Sequence, residues 1–267
     1  MSRYRAMFER CAERREGALG AFLMLGDPTE GGCHAYLDAL VEGGADMVEF
    51  GIPFSDPVAD GPVIQAAAQR ALTAGVRVAD CFRMISEFRA RHREVPLGVL
   101  TYANIVAARG AEWFAAELAH AGADSLLIAD VPSIEAAPYA SAARSAGIGL
   151  VMIAATNTSR QRLAVIGELS SGYTYCVARA GITGADEHVR LQHEVLFADL
   201  AAMGAPPPIL GFGIARPEHV QQAMEAGAMG AISGSAIVRL VGEGAPPARI
   251  AELVRQLKAG TRHRVNA

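Results

Sequence analysis

Eight short apolar runs recur along the chain, each followed by a longer helix-like stretch, and this alternation constrains the fold more than any other feature. The runs cover residues 20–25, 47–51, 97–102, 125–129, 150–154, 173–177, 209–212 and 230–233. Gly, Pro or Asp bounds them, and they carry no clean alternation of apolar with polar residues. Continuously apolar strands are what a parallel sheet covered on both faces requires.

The stretches between them read as amphipathic helices. Tyr36, Leu37, Leu40 and Val41 share one face, and so do Trp113, Phe114 and Leu118. A helix over 218–226 starts beside Pro217, near the first turn, where a missing N–H costs nothing. Three helices end in related words, Gly43-Gly44-Ala45-Asp46, Ala121-Gly122-Ala123-Asp124 and Ala226-Gly227-Ala228, in which glycine takes the left-handed conformation that stops a helix. Eight units of about thirty residues are the size of βαβ modules. They predict an α/β fold, a closed (β/α)8 barrel in a single domain spanning 1–267. An open doubly wound sheet is the competing arrangement, but it usually carries a glycine-rich fingerprint after its first strand. Leu25-Gly26-Asp27-Pro28 stands there instead. Residues 2–15 form an N-terminal helix placed to close the barrel bottom, and residues from Ser235 form a short extra helix after the last strand.

The 267 residues are 51% hydrophobic and 19% charged, with a formal net charge of −4. Disorder needs the opposite balance, and sequence-independent nucleic-acid binding needs a basic surface. Cys11, Cys33, Cys81 and Cys176 form no C-x-x-C pair and read as free thiols. The N-terminal residues have no apolar core of a secretory signal, and the apolar runs are too short to span a bilayer. A soluble, cytoplasmic protein is expected.

In such a barrel the chemistry sits at the C-terminal ends of the strands. Glu49 lies inside an apolar run, where a carboxylate is costly unless paired or used and where burial raises its pKa. A raised pKa suits a group that gives and takes a proton near neutrality. Asp56 and Asp60 lie in a proline-bounded loop, a common setting for turn aspartates, yet a second carboxylate above the same mouth would supply a charge stabiliser. Gly184, the segment Gly211-Phe212-Gly213-Ile214 and the segment Ser233-Gly234-Ser235 read as a phosphate site built on the last two strands and a helix N-terminus. The alternative is that these glycines only serve turns. The one lysine, Lys258, lies in the C-terminal helical region, so a Schiff base inside the barrel is excluded. None of the seven histidines lies on a strand or in a metal-spaced cluster. His188 and His193 flank a glycine-rich stretch, 179–188, that reads as a mobile lid, and both read as solvated surface residues.

The words Glu49-Phe50-Gly51-Ile52-Pro53-Phe54-Ser55-Asp56-Pro57 and Ala59-Asp60-Gly61-Pro62 closely resemble the signature of the tryptophan synthase α subunit family. The resemblance extends nearly end to end, through Leu25-Gly26-Asp27-Pro28, Tyr102-Ala103-Asn104, Asp130-Val131-Pro132, Tyr173-Thr174-Tyr175, Arg179-Ala180-Gly181-Ile182-Thr183-Gly184, Gly211-Phe212-Gly213-Ile214 and residues 230–238. It implies a carbon–carbon lyase that cleaves indole-3-glycerol phosphate to indole and glyceraldehyde 3-phosphate in tryptophan biosynthesis.

The resemblance also implies roles. Glu49 matches the general acid–base and Asp60 the carboxylate that holds the indole N–H. Phe22, Leu100, Leu127, Ala129, Phe212 and Ile232 match the apolar indole pocket, Tyr175 a residue beside Glu49, and Thr183 the lid residue that meets Asp60. Gly184, Gly213, Gly234 and Ser235 match the phosphate-binding backbone. No cofactor or metal is implied in this chain. A β subunit carrying pyridoxal phosphate is the implied partner in an α2β2 complex, docking against Pro53, Asp56, Asn104 and Pro132. The pattern departs at Ala66, Ala107, Ala108, Ser133, Ile134, Ala154, Ala155 and Ala178, none of which is a proposed catalytic group. A stand-alone lyase that releases free indole is the alternative.

Overall fold

A computed structural model describes residues 2–177 and 187–262, with the backbone alone over 187–192. Nine parallel strands run β1 (Ala18–Met24), β2 (Met47–Gly51), β3 (Leu97–Thr101), β4 (Ser125–Ile128), β5 (Gly149–Leu150), β6 (Ile153–Ala155), β7 (Thr174–Val177), β8 (Pro208–Gly211) and β9 (Gly230–Ser233). Their order is β5-β4-β3-β2-β1-β9-β8-β7-β6. The eight apolar runs are all strands.

The fifth run departs from the expected single strand. It is split into β5, which pairs with β4, and β6, which pairs with β7. Pairing changes sides between them, where Val151 N–H donates to Leu126 O at 2.8 Å and Met152 O accepts from Tyr175 N–H at 3.0 Å. One extended run thus bonds to both ends of the sheet and closes the (β/α)8 barrel.

Helices α1 (Arg3–Glu13), α2 (Glu30–Glu42), α3 (Pro62–Thr73), α4 (Val78–Arg91), α5 (Ala103–Ala107), α6 (Ala111–Ala121), α7 (Ala137–Ser145), α8 (Arg160–Leu169), α9 (Glu187–Ala202), α10 (Pro217–Glu225), α11 (Ser235–Gly242) and α12 (Pro247–Ala259), with a short 3-10 turn at Ser133–Glu135, complete the described elements. Alternate strand residues face two different cores. Leu19, Leu23, Val48, Phe50 and Val99 pack outward under the helices. Phe22, Met24, Met47, Leu127, Tyr173 and Ile232 pack inward, joined by Tyr4, Met7 and Cys11 of α1. The N-terminal helix therefore plugs the barrel bottom, as expected. The four cysteines are free and buried.

The related helix-ending words have a shared physical basis. Gly44, Gly122 and Gly227 take φ near +97°. The residue that follows each Gly-Ala pair then grips the first turn of the neighbouring strand. Asp46 N–H donates to Leu19 O at 2.8 Å, and Asp46 Oδ2 accepts from Leu19 N–H at 2.7 Å. Asp124 repeats this with Leu97, at 2.7 and 2.8 Å. Each carboxylate also meets a cation: Lys258 Nζ at 2.8 Å from Asp46, and Arg3 and Arg89 each at 2.8 Å from Asp124. The third word continues into Met229, whose N–H bonds Pro208 O at 2.8 Å. Proline has no N–H to offer, so no carboxylate is needed there.

These contacts also account for Lys258. It is held at the N-terminal end of the barrel by Asp46 and Glu16, away from the end where the chemistry is expected.

Candidate active site

Glu49 sits at the centre of β2 and is 1% exposed. Its sheet neighbours in register are Phe22 on β1 and Gly98 on β3, with Ser125 beyond on β4. A side chain at Gly98 would crowd this layer, because its Cβ would lie 3.0 Å from Ser125 Oγ and 3.1 Å from the Tyr4 hydroxyl. Glycine there leaves room for the tyrosines below the acid. Tyr4 and Ser125 hydroxyls bond at 2.8 Å. The Tyr173 ring lies 5.3 Å from that of Tyr4, and its hydroxyl donates to Glu49 Oε1 at 2.8 Å.

Burial pushes the Glu49 carboxyl up to about 7, the Tyr173 hydrogen bond opposes that shift, and the negative charge of Asp60 adds to it. The expectation of a carboxyl poised near neutrality holds. The donor that satisfies it is Tyr173, to which the sequence assigns a strand and a place in the Tyr173-Thr174-Tyr175 word but no contact with the acid.

Asp60 closes the loop between β2 and α3. Burial raises its pKa, and a hydrogen bond with the Tyr102 hydroxyl lowers it. Tyr102, the residue after β3, also accepts from Ala59 N–H at 3.3 Å, and its ring stacks on Phe54 at 5.2 Å. One tyrosine thus ties the loop that carries Asp60 to the neighbouring strand. Tyr175 on β7 feels both the Glu49 and the Asp60 charge, and with burial they hold its hydroxyl well above the usual range. Glu49, Asp60 and Tyr175 therefore lie close enough to feel one another's charge. Asp56 is different: it is exposed and accepts from the neighbouring Ser55 hydroxyl at 2.5 Å, as a turn residue does.

Phe22, Leu127, Tyr175 and Ile232 are buried in the inward cluster, with Leu100 and Ala129 partly buried against it. Phe212 stands apart from them. It follows β8, is 56% exposed, and has a φ of 67°.

Gly213 lies beside Phe212, and a Cβ there would meet nothing within 4 Å. Gly234 and Ser235 form the start of α11, whose first N–H groups receive no side-chain cap. Such an end favours an anion. Thr183 and Gly184, and most of the stretch read as a lid, lie outside the described residues. So does the side chain of His188. His193 corrects an expectation: it is 6% exposed and stacked on Phe197, because α9 turns that face inward rather than to solvent.

Asp56 and Pro132 lie exposed on the loops after β2 and β4, and Asn104 lies exposed on α5 after β3, whereas Pro53 is buried. Val58 and Ile134 on the same end of the barrel are 81% and 71% exposed. Among the described residues, no three His, Cys, Asp or Glu side chains are gathered as metal ligands, and no helix is long and apolar enough to cross a membrane.

The family model described as tryptophan synthase alpha chain matches residues 8–265. The tryptophan synthase alpha chain of Shewanella amazonensis is 50% identical over 241 residues, which is 90% of this chain and 91% of that one. A structure of Mycobacterium tuberculosis tryptophan synthase superposes with a TM-score of 0.89 at 32% identity, covering 98% of this chain and 99% of the other. A chain of the Pyrococcus furiosus tryptophan synthase α2β2 complex gives a TM-score of 0.84 at 35% identity, covering 92% and 99%. With the acid buried in its strand and the likeness running from one end to the other, the chain belongs to the tryptophan synthase alpha chain family.

Proposed function

We propose that this chain, a single domain, cleaves indole-3-glycerol phosphate to indole and glyceraldehyde 3-phosphate. The observation that carries the reading is Glu49, a buried carboxyl inside the barrel with a pKa of about 7. In this reading the indole lies among Phe22, Leu100, Leu127, Ala129 and Ile232, with Phe212 at the rim. The phosphate sits on the N–H groups of Gly184, Gly213, Gly234 and Ser235.

Glu49 delivers a proton to indole C3, and the ring carries positive charge until the bond from C3 to the side chain breaks. The electrons of that bond return to the ring. The side-chain hydroxyl loses its proton to Glu49 as its carbon becomes the aldehyde. Asp60 accepts the indole N–H and stabilises the cationic ring. Tyr175 packs beside Glu49, and Thr183 meets Asp60 when the lid closes. A preorganised pair of carboxylates in a dry site meets the needs of this step, and the chain carries no cofactor of its own.

The exposed Val58 and Ile134, flanked by Asp56, Asn104 and Pro132, support docking of a β subunit that holds pyridoxal phosphate. The assembly is an α2β2 heterotetramer in the cytoplasm, and Pro53 shapes the docking loop from beneath.

The test is indole release from indole-3-glycerol phosphate, with and without a cognate β subunit. The reading expects slow release alone, a sharp rise with β, and none from Glu49→Gln, which still binds substrate. Near-normal turnover by Glu49→Gln would overturn it.

A further inference from the structure

The loop after β8 carries two consecutive left-handed residues, Phe212 at φ 67° and Gly213 at φ 75°. Glycine adopts this conformation freely, but phenylalanine does so only where its surroundings hold it. Among the described residues, two side chains hold this loop. Ser233 on β9 donates its hydroxyl to Ile214 O at 2.7 Å in the buried interior. His219, in the first turn of α10, places Nδ1 2.8 Å from Gly213 O.

The second contact fixes the state of the imidazole. Two lone pairs repel at 2.8 Å, so Nδ1 carries the hydrogen and donates it to the carbonyl. Ala215 N–H also lies 3.3 Å from Nδ1, but a ring nitrogen that already carries hydrogen has no lone pair left to receive it. Nε2 is then the acceptor. The Arg216 guanidinium meets it there, with Nη2 at 3.2 Å and Nε at 3.4 Å. The ring is thereby held from both sides in one tautomer, with its donor aimed at the loop.

The Gly213–Ile214 peptide is planar, so holding its carbonyl toward α10 sends the Ile214 N–H the other way. Among the described residues, neither the Gly213 nor the Ile214 N–H donates to a backbone carbonyl across this loop. The space beside Gly213 is open.

We infer that His219 is a positioning residue: its grip on the Gly213 carbonyl sets the direction in which this loop presents its N–H groups to the phosphate of the substrate. The inference rests on the proposal that Gly213 belongs to the phosphate site. His219 lies on the surface of the α10 turn and aims its one ring donor at that carbonyl, so it acts on the phosphate end of the site.

The experiment compares the native chain with His219→Phe, which keeps the ring and loses both nitrogens, and with His219→Asn, whose amide can donate from near the Nδ1 position. Binding is measured for two fragments of the substrate, glycerol 3-phosphate and indole. The Phe variant should bind glycerol 3-phosphate about fivefold to tenfold more weakly, the cost of one lost hydrogen bond to a strained loop. Indole binding and thermal midpoint should not change. KM for indole-3-glycerol phosphate should rise by the same factor with kcat nearly constant, and the Asn variant should recover most of the loss.

Unchanged glycerol 3-phosphate binding in the Phe variant overturns the inference, as does equal weakening for both fragments. Those results leave the proposed reaction standing if the native chain cleaves its substrate. A native chain that neither cleaves indole-3-glycerol phosphate nor binds glycerol 3-phosphate overturns both.

Discussion

The Tyr173 hydroxyl donates to Glu49 Oε1 at 2.8 Å across 124 residues of sequence, and it is the hydrogen bond that restrains the acid's raised pKa. Replacing Tyr173 by Phe removes that donor and leaves the burial. The Glu49 carboxyl should then titrate above its present value of about 7, by roughly one unit for the loss of one hydrogen bond to a charged group. Carbon-13 NMR of glutamate labelled at the side-chain carboxyl follows this directly. A Glu49 pKa that stays put or falls would show that Tyr173 is not its principal donor.

Glu49 also makes stability depend on pH. Its folded pKa is raised from 4.5 to about 7, so the folded state keeps a proton that the unfolded state gives up. The contribution is fully present below pH 4.5 and is lost as pH rises through 7. A shift of this size corresponds to about 3 kcal/mol. Glu49→Gln is neutral throughout and should lack this loss. Urea unfolding at pH 4 and pH 8 should show the variant gaining about 3 kcal/mol on the native chain between the two. A constant difference would contradict the raised pKa.

Asp27 and Arg70 tie the loop after β1 to α3. Asp27 is fully buried, and the guanidinium bonds both its oxygens, at 2.7 and 2.8 Å. Arg70→Met would strand a buried carboxylate and should cost about 3–5 kcal/mol. Adding Asp27→Asn removes the stranded charge, so the double variant should be more stable than Arg70→Met alone. Because α3 begins two residues after Asp60, the single variant should also slow the proposed cleavage. Chemical denaturation of both variants and the native chain checks the order. A double variant less stable than the single one would sink the argument.

The barrel was open to sequence reading because its strands are continuously apolar and its helices end in repeated glycine words. The split in the fifth strand was not, since it reflects a change of pairing partner rather than of side-chain pattern. Glu49 stood out as an acid in an apolar run. Its setting did not, because Tyr4, Ser125 and Tyr173 arrive from three other elements. Asp60 taken by itself reads as an ordinary turn aspartate and stands out only through its motif, because the Tyr102 hydroxyl that holds it comes from just after β3. His193 looked like a surface residue because α9 carries little amphipathic contrast to say which face turns inward. The role of His219 is hidden for a similar reason: its bond to Gly213 joins a helix to the loop before it, which no spacing rule anticipates.

The Gly-Ala words offer a prediction that separates sequence likeness from physical cause. Asp124 receives the Leu97 N–H and two arginines, so Asp124→Ala leaves Arg89 without a counter-charge where it is largely buried. The loss should be about 3–5 kcal/mol. Met229 occupies the corresponding place beside β9, and a simple repeat argument would make Met229→Asp stabilising. The strand it faces begins with Pro208, which has no N–H for a carboxylate to receive. Met229 is also 45% exposed, so little apolar burial is at stake. Met229→Asp should therefore change stability by less than about 0.5 kcal/mol, as surface substitutions usually do. Thermal unfolding of the two variants tests both claims, and a clear gain from Met229→Asp would mean that the carboxylate finds a donor other than the strand's first residue.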